Sequence, residues 1–398
     1  MRRHLRAYLK SILAITALSI AGQAALASGF RVPEVSTAGT GLSNAIVANT
    51  DELGALTYNP AAMSFHKGNN LVGGLAFLAL DMSVVPQAGT PTDSKVKSFF
   101  TIPNVYFSGD LQNGWWWGLG INAPFGLETN WPQGTFTNGG SAAPTLSRIK
   151  MANFNPNIST MIGPNTSFAF GIDFYDVREV ALDAIQAPIR GSGDGIGFNV
   201  AIMHKAGPWT FGGSYRSSVN ADITGAVSAA PATTSLEFPS LLQVGASYQV
   251  SPAMTVEFDV EFTGWSSFDV ITIYAPAAGT PITSTNNWED TTTYRLGLTW
   301  KMSNDTRLWF GYSLDETPQP DAYFSARVPG ADRQLFSIGM ARNMGGWELE
   351  ASYMFVDVDT RTFNSSVVPT TDLNGTLAYN GTYSSDVSIL SIGLSKKF

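Results

Sequence analysis

Glu257, Asp259 and Glu261 place three carboxylates at alternate positions. In an extended strand alternate residues share a face, so the three stand in a row. Such a row suits a cation site, or a wet face whose charges pair with neighbouring Arg and Lys, which is the commoner arrangement. The chain offers little other chemistry. Outside the basic N-terminal stretch only His66 and His204 remain, and there is no cysteine. No paired His or Cys–His cluster therefore offers a transition-metal site. No G-x-S-x-G elbow is present. A serine beside His204 is the one hydrolase reading the residues allow. Gly191-Ser192-Gly193-Asp194-Gly195 matches no phosphate-binding spacing and reads as a loop tip. The expectation is a chain with no catalytic residue, no metal site and no cofactor.

The elements that carry these residues repeat one pattern. Leu390, Ile392, Leu394 and Phe398 alternate with Ser391, Gly393, Ser395 and Lys397. Val256 to Phe262, Tyr294 to Trp300, Leu308 to Leu314, Trp347 to Phe355 and Phe168 to Phe174 repeat the alternation. Each such strand has one oily and one wet face. Charged residues make up only 14%, against about 25% in soluble domains, and there are 47 aromatics (10 Trp, 13 Tyr, 24 Phe). Arg2, Arg3, Arg6 and Lys10, the apolar run Ser11 to Ile20 and Ala25-Leu26-Ala27 read as a secretory signal over residues 1–27. Its removal takes four basic and no acidic groups, moving the formal net charge from −8 to −12. That balance argues against a nucleic-acid partner. A chain that ends on an aromatic strand after a signal reads as an all-β transmembrane barrel of the bacterial outer membrane, with 12 to 16 antiparallel strands over residues 67–398. Its oily faces meet outer-membrane lipid, and its Phe398 end strand addresses the barrel assembly machinery. A soluble β-sandwich explains the strands but not the signal and the aromatic end together.

Residues 28–66 break the pattern. They are rich in small and turn-forming residues and too irregular to span lipid, so they fit best inside the lumen as an N-terminal hatch.

Gly29-Phe30, Thr37-Ala38-Gly39-Thr40-Gly41 and above all Asn59-Pro60-Ala61 resemble the FadL/TodX family of outer-membrane transporters for hydrophobic compounds. Pro124-Phe125-Gly126-Leu127-Glu128-Thr129, Phe238-Pro239-Ser240, Trp265-Ser266-Ser267-Phe268, Asp315-Glu316-Thr317-Pro318 and Pro329-Gly330-Ala331-Asp332-Arg333 match in the same order. The resemblance implies 14 strands, a hatch, an apolar pocket and sideways exit through a gap at a kink in the third strand. Pro124, Phe125 and Gly126 would form that opening. Pro cannot donate a ladder hydrogen bond and Gly tolerates unusual backbone angles. Asn59, Pro60 and Ala61 would carry the hatch's contact with the kink, and Phe30 would be a pocket member or latch.

The chain departs from the long-chain fatty-acid members in two ways. Only Ala181 to Asp194 separates Arg178 from the next strand, so a helical insertion there is absent. The family's basic pocket residues fall near Asp183 and near Thr291 or Thr292, neither of them basic. Arg178, Arg295 or Arg333 could substitute as carboxylate anchors, or could pair with lumen carboxylates. The expected function is passive uptake of hydrophobic small molecules by a monomer, long-chain fatty acids first. Neutral monoaromatics, an adhesive barrel and a barrel hydrolase are the alternatives.

Overall fold

The computed structural model describes residues 29–95, 99–185, 187–279 and 281–398. The signal expected over residues 1–27 lies outside them. Fourteen antiparallel strands close on themselves. They are β1 (Asn69–Pro86), β2 (Phe100–Asp110), β3 in two pieces (Trp115–Asn122 and Leu127–Asn130), β4 (Pro144–Met161), β5 (Thr166–Ala184) and β6 (Ile189–Ala206). Then come β7 in two pieces (Trp209–Arg216, Val219–Val227), β8 in two pieces (Ala230–Phe238, Leu241–Ser251), β9 (Met254–Thr263), β10 (Thr291–Lys301), β11 (Thr306–Asp315), β12 (Arg333–Met344), β13 (Trp347–Val358) and β14 (Gly381–Lys397). The barrel shuts along β1 and β14, from Asn70 opposite Lys397 to Pro86 opposite Gly381.

The two faces differ as the alternation requires. Phe168, Phe170, Ile172 and Phe174 of β5 are exposed on the outside, as are Leu242, Phe258, Leu296, Ile338 and Ile392 elsewhere. Ala169, Asp173 and Tyr175 of β5 are buried inside. An outer apolar band with Trp115, Trp117, Trp209 and Trp300 near the short turns is the surface a bilayer covers. Exposed Phe398 ends the chain, its N–H donating to Asn69 O at 2.8 Å.

Residues 29–66 are almost wholly buried and bond to the inner faces of the strands. They hold one short helix, α1 (Thr37–Gly41), with Ser36 accepting from Gly39 N–H as its cap, and two 3-10 turns, Leu53–Thr57 and Pro60–Phe65.

Two loop readings are corrected. Gly191 to Gly195 is no loop tip; it lies inside β6, paired with β7. A Cβ on Gly193 would strike the backbone oxygen of Asp222, so glycine is what lets the strands approach. The short link after Arg178 is likewise mostly strand: β5 runs on to Ala184 and β6 begins at Ile189.

Candidate functional site

The gaps in β3 (residues 123–126), β7 (217–218) and β8 (239–240) fall at one height, where β4 and β5 also bulge. Pro124 and Pro239 lie in two of them, as the missing N–H predicts. Inside that belt Phe30 is buried among five rings, Phe125, Phe238, Trp265, Phe268 and Trp288, at centroid distances of 4.7–6.1 Å. Beside Phe30 lies a cavity of about 100 Å³, walled by apolar side chains such as Leu127, Ile149, Val180, Ile271 and Val328.

One corner of this cavity is polar. Arg327, on the β11–β12 loop, donates from Nη1 to Ser147 Oγ and to the Asp183 carbonyl oxygen, each at 3.2 Å. No carboxylate pairs with it among the described residues; the Asp183 carboxylate holds Arg190 and the Ile189 N–H instead. Burial pushes the Arg327 pKa below its usual value. Gln319 and the Trp288 indole N–H border the same cavity, buried and without a hydrogen-bond partner among the described residues. Unpaired buried donors are costly, and these two residues share the lining of one cavity with Arg327.

The kink forms the opposite wall. After Val105 pairs with Ile121 the β2–β3 ladder stops, and β2 from Phe100 to Asn104 keeps only β1 as its partner. Leu127–Asn130 pairs with β4 alone. Higher up, Lys95 N–H donates to Asn130 O and Ser94 N–H to Met82 O, closing the top. The result is a bounded window in the hydrogen-bond ladder between β2 and β3, about 15 Å tall at ~3.3 Å per strand residue. Outside, it is flanked on β2 by Thr101 and Pro103. Inside, Gly126 N–H donates to Phe30 O and Val32 N–H to Pro124 O, both at 2.8 Å. Residues 30–32 thus act as a substitute strand between cavity and window.

A family description, outer membrane protein transport protein (OMPP1/FadL/TodX), matches residues 17–398. The chain belongs to this family. Its place is therefore the bacterial outer membrane, and transport of hydrophobic compounds is the activity that membership supports. Among curated relatives, the long-chain fatty acid transport protein of Escherichia coli O6:H1 is 22% identical, covering 94% of this chain and 95% of its own. Outer membrane protein P1 of Haemophilus influenzae is 22% identical over 83% of this chain and 85% of its own. Among solved structures, a Pseudomonas aeruginosa FadL homologue gives a TM-score of 0.80 at 17% identity, covering 93% of this chain and 100% of that one. The Pseudomonas putida toluene transporter TodX gives 0.70 at 15% identity, with the same coverage. These two likenesses show the fold.

In this FadL/TodX chain the expected site residues fall in different places. Phe30 lines the cavity, and Pro124, Phe125 and Gly126 form the kink. Of the contact expected of Asn59, Pro60 and Ala61, Pro60 lies against β3 below the kink, beside Gly118 to Gly120, while the hydrogen bonds to the kink itself come from Phe30 and Val32. Asn59 Nδ2 donates to Val47 O and Ile202 O, and its Oδ1 accepts from Ala61 N–H, so it caps a 3-10 turn and ties it to β6.

The three arginines expected as anchors do not reach the cavity. Arg178 lies on the outer face, continuing the outward series of Phe170, Ile172 and Phe174 through Asp176, with which it pairs at 2.9 Å. Arg295 is buried against Glu261 at 3.2 Å, and Arg333 bonds Asp315 through Nε at 2.7 Å. His204 Nδ1 stands 2.8 Å from Thr166 Oγ1, on an exposed outer position, and no serine bonds it among the described residues.

The row Glu257, Asp259 and Glu261 divides its work. Glu261 takes Arg31 of the hatch at 2.7 Å as well as Arg295. Asp259 Oδ2 accepts the Ile46 and Val47 N–H groups at 2.7 and 2.9 Å, and Glu257 Oε1 accepts Ala48 N–H at 2.6 Å. The wall therefore supplies the hydrogen bonds that an irregular buried backbone needs. Arg327, Gln319, Arg31 and these backbone bonds carry no sequence signal that marks them as parts of the site.

Proposed function

We propose that this chain takes up long-chain fatty acids, and that Arg327 in the apolar cavity is the observation that carries this reading. A half-buried guanidinium with no carboxylate partner among the described residues is poised for one from outside. The curated relatives named for long-chain fatty acid transport support the same choice.

The cavity is too small for such a ligand as it stands. About 100 Å³ is less than the ~150 Å³ of an apolar cavity that holds one benzene ring. A longer occupant must move Phe30, and moving Phe30 strains the two hydrogen bonds that hold residues 30–32 against the kink. Those bonds contribute about 1 kcal/mol each, whereas burying ten methylenes yields about 8 kcal/mol. Binding can therefore drive the gate, and the occupant then leaves through the window into lipid, which it prefers to water. No energy source is required beyond partitioning and consumption downstream. In this reading exposed Phe398 addresses the assembly machinery, and the barrel works as a monomer.

The test is uptake by cells that lack their own transporter but express this chain, given labelled palmitate or labelled toluene. Saturable palmitate uptake supports the proposal. Toluene uptake alone favours the second reading, a pocket for compact neutral aromatics, which the small cavity suggests. Transport of neither sinks both.

How much of the hatch moves is separately testable. Ser43 Oγ and Ser337 Oγ lie 2.9 Å apart, joining hatch to β12 in a chain without cysteine. The oxidised S43C/S337C variant is expected to keep at least half of wild-type uptake, because the gate is local to residues 29–32. A loss that reductant restores would mean that the hatch moves as a body.

A further inference from the structure

Two asparagines sit at the foot of the window. Val105 opposite Ile121 is the last rung of the β2–β3 ladder. Asn104 and Asn122 are the next residues on each strand, both buried and facing inward. Neither amide atom of Asn104 has a hydrogen-bond partner among the described residues, and Asn122 Oδ1 has none either. Asn122 Nδ2 donates to Tyr106 Oη at 3.0 Å, and Tyr106 in turn donates to Val35 O at 2.8 Å. Asn104 is therefore a free amide, 2% exposed, one inward position along β2 from Ile102, a member of the apolar cluster that also holds Val32, Phe100 and Ala123. No Lys or Arg side chain bonds either asparagine among the described residues. A buried amide without partners costs stability, and its position on the route from cavity to lipid calls for a cause.

The amide's chemistry selects one form of a ligand head. A primary amide offers one donor and one acceptor side by side. A neutral carboxylic acid is its complement: the acid O–H donates to Asn104 Oδ1, and the acid carbonyl accepts from Asn104 Nδ2. An ionised carboxylate has acceptors only and would meet the two free oxygens of Asn104 and Asn122. The neutral acid is also the form that lipid admits without the cost of burying a charge.

We propose that Asn104, flanked by Asn122, is an exit site that holds the ligand's carboxyl group in its protonated form as it passes into the window. The inference rests on the fatty-acid reading above. The carboxylate leaves Arg327, which keeps its own charge, and gains its proton from a hydronium ion of the surrounding water.

The experiment compares Asn104→Leu, Asn104→Ala and Asn104→Gln with the wild type. Each is tested for equilibrium binding of a fluorescent palmitate analogue to the purified barrel and for uptake of labelled palmitate and labelled hexadecane. The expected result is binding within twofold of wild type, palmitate uptake reduced about tenfold in N104L and N104A, hexadecane uptake unchanged, and partial recovery in N104Q. A structural role predicts the opposite for N104L, since leucine suits the apolar surroundings and removes the unpaired amide. Unchanged palmitate uptake, or equal loss of palmitate and hexadecane in both N104L and N104A, overturns the exit site alone. A wild-type barrel that neither binds nor transports palmitate overturns the fatty-acid reading and this inference with it.

Discussion

Arg327→Met is expected to weaken palmitate binding by the purified barrel at least tenfold and to leave toluene binding within twofold. Methionine keeps the length and apolar volume of the side chain, so the cavity keeps its shape while its charge is lost. A hydrogen-bonded charge pair in such a place contributes roughly 1.5–3 kcal/mol, which is about 10- to 150-fold in affinity. Arg327 makes only neutral contacts in the unliganded barrel, to Ser147 and the Asp183 carbonyl. Removing it therefore strands no buried carboxylate, and the barrel is expected to fold. Titration of both ligands by tryptophan fluorescence, with Trp265 and Trp288 in the cavity wall cluster, reads the result. Equal loss for palmitate and toluene would mean that Arg327 only shapes the wall. No loss for palmitate would remove the head-group site.

The barrel was legible because its physics is local. Period-two alternation, a low charge content and an aromatic last strand each follow from a wall with lipid on one side. The kink was legible through the family resemblance, with Pro124 and Gly126 supplying the local physical reason on their own backbone. Strand number was less so, because β3, β7 and β8 are each interrupted and an interrupted strand looks like two. Arg327 was not legible at all. It reaches the Asp183 carbonyl, 144 positions earlier in the chain, only after the β11–β12 loop folds inward. Asn59 was misplaced for the converse reason. Its local role, capping a turn ahead of Pro60, was readable from Asn-Pro, but which wall it would touch depended on the path of the whole hatch.

In the proposed mechanism, Arg31 lets the hatch be firmly seated and still gate. Its side chain is fixed by Glu261, while its backbone neighbours hold the kink through two hydrogen bonds. The Arg31–Glu261 pair is buried, and breaking such a pair by removing one partner costs about 3–5 kcal/mol. The two backbone bonds are weaker, so a ligand pressing on Phe30 breaks the contact with the kink before it releases the anchor.

The deeper part of the hatch depends on the wall in another way. The double variant E257A/D259A is expected to raise amide hydrogen exchange at Ile46, Val47 and Ala48 by about 100-fold or more. Three backbone N–H groups there have wall carboxylates as their acceptors. Leaving each unsatisfied costs about 1–3 kcal/mol, and 1.4 kcal/mol of local opening is worth tenfold in exchange. Both carboxylates lie on the inner face of β9, so the outer apolar surface and the β8–β9 and β9–β10 ladders are untouched. Heat-dependent gel mobility should confirm an intact barrel. Loosening at residues 45–49 should also show as larger ion conductance in planar bilayers, because this segment blocks the lumen between β8, β9 and β11. Slow exchange and wild-type conductance in the double variant would mean that packing alone seats the hatch. Ala48 would then stay in place through Ser247, whose hydroxyl donates to its carbonyl oxygen at 3.1 Å. The wild-type pattern makes carboxylates the better candidates. They accept strong hydrogen bonds from backbone N–H groups, and they stand at the alternate positions of one strand that an irregular chain, unable to pair with itself, can use as a substitute ladder.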